Sequence, residues 1–214
     1  SPRMADLGTE SAFEVLARAR ALEATGRNIV HLQIGEPDFE TAPHIVEAGA
    51  KALRDGFTHY GPTAGLPVLR DSIARYVSRT RGIDVTPDEV IVTPGGKPVI
   101  YYTILAILDR GDEAIIPDPS YPIHIYGAVI AGADIRSVPM APDVDFFAEL
   151  EKTIRGSYPK PKMIVIGFPS NPTAQCVELD FFERVIALAK KHDIFVVHDL
   201  AYADIVFDGW KAPS

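Results

Sequence analysis

The chain has 214 residues, of which 47% are hydrophobic and 23% charged, and its formal net charge at pH 7 is −8. This composition is ordinary for a globular protein, and the excess of acidic residues argues against a nucleic-acid-binding surface. The sequence has no run of about 18 apolar residues and no apolar signal-peptide core, so it predicts neither a transmembrane helix nor a signal peptide. The single cysteine, Cys176, cannot form an internal disulfide, which favours a reducing, cytoplasmic setting.

The first part of the chain predicts helices and one strand. Ser11 and Glu14 have the spacing of a capping box at the start of an amphipathic helix. Apolar and polar residues alternate over residues 28–34, which predicts a half-buried strand. Two further helices are predicted from a proline at a helix start, apolar residues at helical spacing and a glycine beyond a helix end. The predicted helices span residues 11–25, 43–56 and 66–81.

From residue 89 onward, five β-rich runs alternate with helical runs. This order predicts an α/β fold with a mostly parallel sheet and helices on both faces. The predicted strands span residues 89–93, 113–117, 134–139, 162–168 and 193–199. After the last of them no further helix is predicted, so two interpretations stay open: an incomplete large domain, or a short domain whose tail packs back.

Ligands of open parallel sheets bind beyond the carboxyl ends of the strands, where four loops of this chain carry informative residues. The first loop, Thr93–Lys97, has paired glycines before a helix, an arrangement that can bind a phosphate through backbone N–H groups. A tight turn without a ligand is the alternative. The loop lacks both the Walker pattern and the dinucleotide-binding pattern of glycines.

The other three loops each offer one side chain suited to a flat, charged ligand. Tyr121 can stack on an aromatic ring or be a core tyrosine. Asn171, between two prolines, can present its amide to an oxygen or simply form a common Asn-Pro turn. Asp199 can pair with a cationic ring nitrogen, with Tyr202 close by, or it can cap a helix.

The order of these motifs resembles the class I/II aminotransferases, which are pyridoxal-phosphate (PLP) enzymes with the aspartate aminotransferase fold. The resemblance is carried by IGEPDF, YGPTAGLPVLR, VTPGGKPVIYYT, PDPSYP, FPSNPT and HDLAYADIVF. It implies fold type I, pyridoxal 5'-phosphate as cofactor, and a homodimer that uses an amino acid and a 2-oxo acid. It further implies that residues 1–45 are an N-terminal arm with part of the small domain. Residues 46–214 are then the large PLP-binding domain, incomplete at its C-terminal end.

The resemblance assigns four residues to the phosphate and the substrate. Gly35 offers its backbone to the substrate carboxylate, and Tyr60 reaches the cofactor phosphate of the partner subunit. Gly96 and Lys97 bind the phosphate through backbone N–H groups at the start of a helix.

The resemblance assigns four further residues to the cofactor ring. Tyr121 stacks on the pyridine ring, and Asn171 and Tyr202 donate hydrogen bonds to the oxygen of its 3-hydroxyl group. Asn171 also contacts the substrate carboxylate. Asp199 pairs with the protonated pyridine nitrogen, which strengthens the cofactor as an electron sink.

The chain departs from the family pattern in two ways. Ala174 stands where the family's NPTG motif has glycine. The lysine that forms the Schiff base with the cofactor is expected beyond Ser214, so the chain contains no catalytic lysine and is expected to be inactive alone.

The resemblance implies the family more specifically than it implies the substrate. The second half of the chain resembles the alanine-forming branch, which uses glutamate and pyruvate, whereas the segment before about Gly111 resembles aspartate-type enzymes. Alanine or glutamate is therefore expected as the amino acid, with aspartate as a further candidate. A non-catalytic fragment or interaction module and a PLP-dependent carbon–sulfur lyase of the same fold remain the alternatives.

Overall fold

The computed structural model describes residue 5, residues 7–8 and residues 11–214. These residues form two compact units, one of residues 8–92 and one built on residues 93–214. The predicted domain boundary at residue 45 stays a prediction. The side chain of Ser11 lies outside the described residues, and with it the predicted capping box.

The unit of residues 8–92 contains the three helices that the sequence predicts. It contains α1 (Ser11–Glu23), α2 (Pro43–Arg54) and α3 (Pro67–Arg81). Gly82 caps the C-terminal end of α3, and its φ of 70° is the left-handed conformation that glycine adopts without a steric penalty. The Arg70 side chain donates a hydrogen bond to the Val90 carbonyl at 2.9 Å and so fixes the segment that follows α3.

Two predicted strands are wrong. Residues 28–34 and residues 89–93 have strand-like sequences, but neither segment forms a strand in the structure. Val30 and Leu32 are largely exposed, and the backbone N–H of Val92 donates to the Ala64 carbonyl instead of to a neighbouring strand. Strand propensity reflects the fit to a paired, half-buried surface, and the described residues supply no partner strand for either segment.

The unit of residues 93–214 confirms the predicted α/β fold with a parallel sheet. Its strands lie in the order β2-β1-β3-β4, and every pairing is parallel. Four of the five strands predicted beyond residue 89 are present. In chain order the elements are α4 (Gly96–Ile107), β1 (Glu113–Asp118), α5 (Pro122–Ala131), β2 (Asp134–Pro139), α6 (Phe146–Gly156), β3 (Pro161–Gly167), α7 (Leu179–His192) and β4 (Phe195–Asp199).

The two central strands bury both of their faces. Because successive side chains of a strand point to opposite faces, Ile115 and Ile164 pack with α6 and α7, whereas their neighbours Ile116 and Val165 pack with α4 and α5. All four side chains are at most 1% exposed. Helices therefore cover both faces of the sheet, as the continuous apolar runs of β1 and β3 predict.

The strand order creates a crevice between β1 and β3. After β1 the chain crosses through α5 to β2 on one side, and after β3 it crosses through α7 to β4 on the other side. The two loops that leave the carboxyl ends of these adjacent strands therefore diverge, which is the arrangement at which open α/β sheets bind ligands. Among the described residues, no helix is long and apolar enough to cross a membrane.

Candidate active site

Helix α4 brings an uncapped N-terminus to the carboxyl edge of the sheet. Its N-cap residue is Gly95, which has a φ of 98° and no side chain to cap the helix. The Thr93 hydroxyl donates to the Gly95 carbonyl at 2.7 Å and holds this turn. A Cβ atom added at Gly95 or Gly96 would meet no atom within 4 Å, so the space in front of the helix is open. The first-turn N–H groups, including that of Lys97, suit an anion.

The loop after β1 places an aromatic ring beside this helix end. Tyr121 is the N-cap residue of α5, and its ring centroid lies 5.7 Å from the Nζ atom of Lys97. The Tyr121 ring meets the His124 ring edge-on, with centroids 5.9 Å apart. Two interactions therefore position the Tyr121 ring, as a surface for stacking requires.

A hydrogen bond joins the loop after β3 to the turn after β4. The side-chain nitrogen of Asn171 donates to the Tyr202 hydroxyl oxygen at 3.3 Å. Both side chains keep part of their surface exposed. An amide and a phenol held this close can together contact one oxygen atom of a ligand.

Asp199, the last residue of β4, has partners on both carboxylate oxygens. Its Oδ2 atom lies 3.1 Å from His124 Nε2, and its Oδ1 atom accepts from the Ala201 N–H at 3.2 Å. Ser120 Oγ lies 2.8 Å from the other ring nitrogen of His124, which is 2% exposed. Since a carboxylate only accepts, Nε2 carries a hydrogen and donates it to Asp199, while the Ser120 hydroxyl, which can donate or accept, bonds Nδ1.

These contacts keep the Asp199 carboxyl ionised. Burial alone would raise the pKa of this carboxyl, but the hydrogen bond and charge interaction with His124, together with the Ala201 N–H, outweigh burial and lower the pKa. The residues after Asp199 form a turn rather than a helix, so the helix-cap alternative is wrong. The site therefore contains a negative charge that is stabilised before any ligand arrives.

Six of the eight predicted site residues line one cavity of about 220 Å³: Gly96, Lys97, Tyr121, Asn171, Asp199 and Tyr202. Gly35 and Tyr60 belong to the other unit, where both lie in loops and are exposed. The roles of all eight residues remain predictions. Sequence reasoning missed Ser120 and His124, which lie four residues apart where the loop after β1 enters α5.

The donor set fits pyridoxal phosphate. A helix N-terminus suits its phosphate, the Tyr121 ring that lines the cavity suits its pyridine face, and an ionised carboxylate suits its ring N–H group. The amide and phenol of the Asn171–Tyr202 pair suit its ring oxygen. All of these groups line the same cavity at the carboxyl edge of the sheet.

Comparisons with known proteins agree with this fit. The model of the family described as Aminotransferase class I and II matches residues 27–214. The glutamate-pyruvate aminotransferase AlaC of Escherichia coli is 55% identical over 94% of this chain and 50% of the relative. This chain therefore spans about half the length of the curated relatives it matches.

Solved structures confirm the predicted fold type I architecture. An alanine aminotransferase from Pyrococcus furiosus is 30% identical with a TM-score of 0.91, over 100% of this chain and 55% of that chain. The aspartate aminotransferase of Thermus thermophilus with maleate is 35% identical with a TM-score of 0.89, over 100% of this chain and 56% of that chain. Members of this family use pyridoxal phosphate.

Proposed function

Because this chain belongs to the class I and II aminotransferase family, we propose that the full-length protein transfers an amino group from an amino acid to a 2-oxo acid. The observation that carries the proposal is the single cavity in which Asp199, the Tyr121 ring and the N-terminus of α4 come together. These groups match the charged nitrogen, the flat ring and the phosphate of one cofactor, pyridoxal 5'-phosphate.

Each residue has a defined task in this proposal. The N–H groups of Gly96 and Lys97 bind the phosphate, and the Tyr121 ring stacks on the pyridine face. Asn171 and Tyr202 hydrogen-bond the ring oxygen. When bound, the cofactor supplies an electron sink for the bond that breaks at the substrate α-carbon.

Asp199 holds a proton on the pyridine nitrogen. An ionised carboxylate beside a ring nitrogen favours the protonated, cationic form of that nitrogen. The low pKa of the Asp199 carboxyl supports this role, because the carboxylate stays charged at neutral pH. His124 keeps the carboxylate oriented through its Nε2–H group, and Ser120 holds the other ring nitrogen of that histidine by a hydrogen bond.

The proposed substrates are alanine and glutamate as amino acids, with pyruvate and 2-oxoglutarate as their oxo acids. The 55% identity to a glutamate-pyruvate aminotransferase supports this choice. Aspartate is the second candidate, supported by the likeness to an aspartate aminotransferase.

The proposed assembly is a homodimer in a reducing, cytoplasmic setting. In this assembly Tyr60 reaches the phosphate of the partner subunit, and Gly35 offers its backbone to the substrate carboxylate. The full exposure of the Tyr60 side chain supports this role, since the side chain is available for contact with a second subunit.

The proposal is tested with the full-length protein loaded with pyridoxal phosphate. Alanine and 2-oxoglutarate are supplied, and the pyruvate and glutamate formed are measured, with aspartate as the competing amino acid. We expect Asp199→Asn to lower turnover by about 10- to 150-fold, the effect of losing a charged hydrogen bond at the reacting ring. Asp143→Asn, an exposed aspartate outside the cavity, is the matched control and should leave turnover unchanged.

Two results would contradict the proposal. Turnover of Asp199→Asn near the wild-type rate would remove the assigned role of this carboxylate. Release of ammonia and a thiol from a sulfur-containing amino acid, without amino transfer to any oxo acid, would instead favour the carbon–sulfur lyase.

A further inference from the structure

The loop of residues 168–173 leaves the sheet at the point where the strand ladder stops. The last paired residues of β3 and β4 are Gly167 and Asp199. The Ser170 N–H donates to the carbonyl of Gln175, just beyond the loop, at 2.9 Å, which shapes the loop. The two prolines of the loop bring no N–H donor that could extend the ladder. Side-chain contacts must therefore help to hold the loop beside β4.

His198 provides such a contact. Its Nε2 atom lies 3.2 Å from the carbonyl oxygen of Phe168, the first residue of the loop. A carbonyl oxygen only accepts, so Nε2 carries a hydrogen and donates it. The His198 ring packs against Phe182 of α7 with centroids 4.6 Å apart, which limits its rotation. The imidazole thus connects the end of β4 to the start of the loop.

We propose that His198 is a positioning residue that holds the loop of residues 168–173 against β4 and so keeps Asn171 in reach of the cofactor oxygen. This inference rests on the proposed function, because Asn171 matters here only as a cofactor contact. The Asn171–Tyr202 hydrogen bond measures 3.3 Å, and Tyr202 is 38% exposed. This bond is exposed to solvent, whereas the His198–Phe168 bond is partly buried, so water competes less with the contact by which His198 holds the loop.

Two substitutions of His198 in the full-length protein separate this role from a general structural one. Glutamine places its amide nitrogen near the position of Nε2 and can still donate to Phe168, whereas asparagine places its amide near Nδ1 and cannot. We expect His198→Asn to weaken equilibrium binding of pyridoxal phosphate by about 5-fold, while His198→Gln stays within about 2-fold of wild type. Equal weakening by both variants would overturn the proposal.

A double-mutant cycle tests whether His198 acts through Asn171. If it does, His198→Asn should add little to the loss of cofactor affinity already caused by Asn171→Ala, because the positioned group is gone. Additive losses would refute the coupling.

The hydrogen bond of His198 can also be tested in the wild-type protein, without relying on the folding of a variant. The ¹⁵N chemical shifts of the His198 ring should show a proton on Nε2, and a predominant Nδ1–H tautomer would overturn the proposal.

The proposed function and the role of His198 would be refuted by different results. A wild-type protein that binds no pyridoxal phosphate would refute the proposed function and the inference with it. Normal wild-type binding with indistinguishable Gln and Asn variants would refute only the role of His198.

Discussion

Replacing His124 by phenylalanine should destabilise the full-length protein through Asp199. The buried ring donates to Asp199 at 3.1 Å, and the carboxylate is 18% exposed, so water replaces the lost hydrogen bond poorly. A hydrogen bond to a charged group contributes about 1.5–3 kcal/mol, which is the expected decrease in the free energy of unfolding at neutral pH. His124→Gln keeps a donor near Nε2 and should lose less.

The pH dependence distinguishes this effect from a packing defect. In the wild type, the lowered pKa of Asp199 stabilises the fold above the ordinary pKa of the carboxyl, and this contribution is lost as the pH falls through the lowered value. In His124→Phe, the His124 hydrogen bond no longer opposes the effect of burial on the Asp199 carboxyl, so the pKa of this carboxyl rises. The carboxylate of the variant then becomes protonated at a higher pH, which relieves its unpaired charge.

The assay is urea denaturation of both proteins from pH 8 down to the most acidic pH at which both remain folded. The difference in unfolding free energy should be largest at neutral and alkaline pH and should shrink on acidification. A strained, overpacked phenylalanine would produce a difference that does not change with pH. A constant difference, or an equal loss in His124→Gln, would refute the reasoning.

Three further predictions concern stability of the full-length protein. Ala174 has a φ of 56°, so Ala174→Gly should relieve left-handed strain and raise stability by about 0.5–1 kcal/mol in calorimetry; a decrease would contradict this. Asp145 accepts from two N–H groups at the start of α6, so Asp145→Ala should lose about 1 kcal/mol in urea denaturation, whereas Asp145→Asn should not. Arg136 lowers the pKa of the buried Glu113 carboxyl through its hydrogen bond. Arg136→Gln should therefore lower the Tm at neutral pH, and the deficit should shrink as the pH falls through the pKa of the carboxyl; an unchanged deficit would count against the ion pair.

The sequence alone was sufficient where local physics decides the structure. Helix ends are marked by residues whose backbone preferences suit those positions, such as Pro67 at the first position of α3 and Gly82 beyond its end. The strands β1 and β3 were predictable because both faces of each are apolar. The departure at Ala174 was also visible in the sequence, and the positive φ of that residue shows why the family pattern has glycine there.

The tertiary structure decided which strand-like segments pair and which polar side chains meet. Residues 28–34 and 89–93 have strand propensity, but the described part of the chain offers them no partner strand, because pairing depends on a neighbour that a linear pattern does not contain. His124 and Asp199 are 75 residues apart in the chain, and the strand order of the sheet together with the packing of α5 brings them to 3.1 Å. Long-range proximity of this kind results from the packing of several elements at once, so no local sequence pattern encodes it.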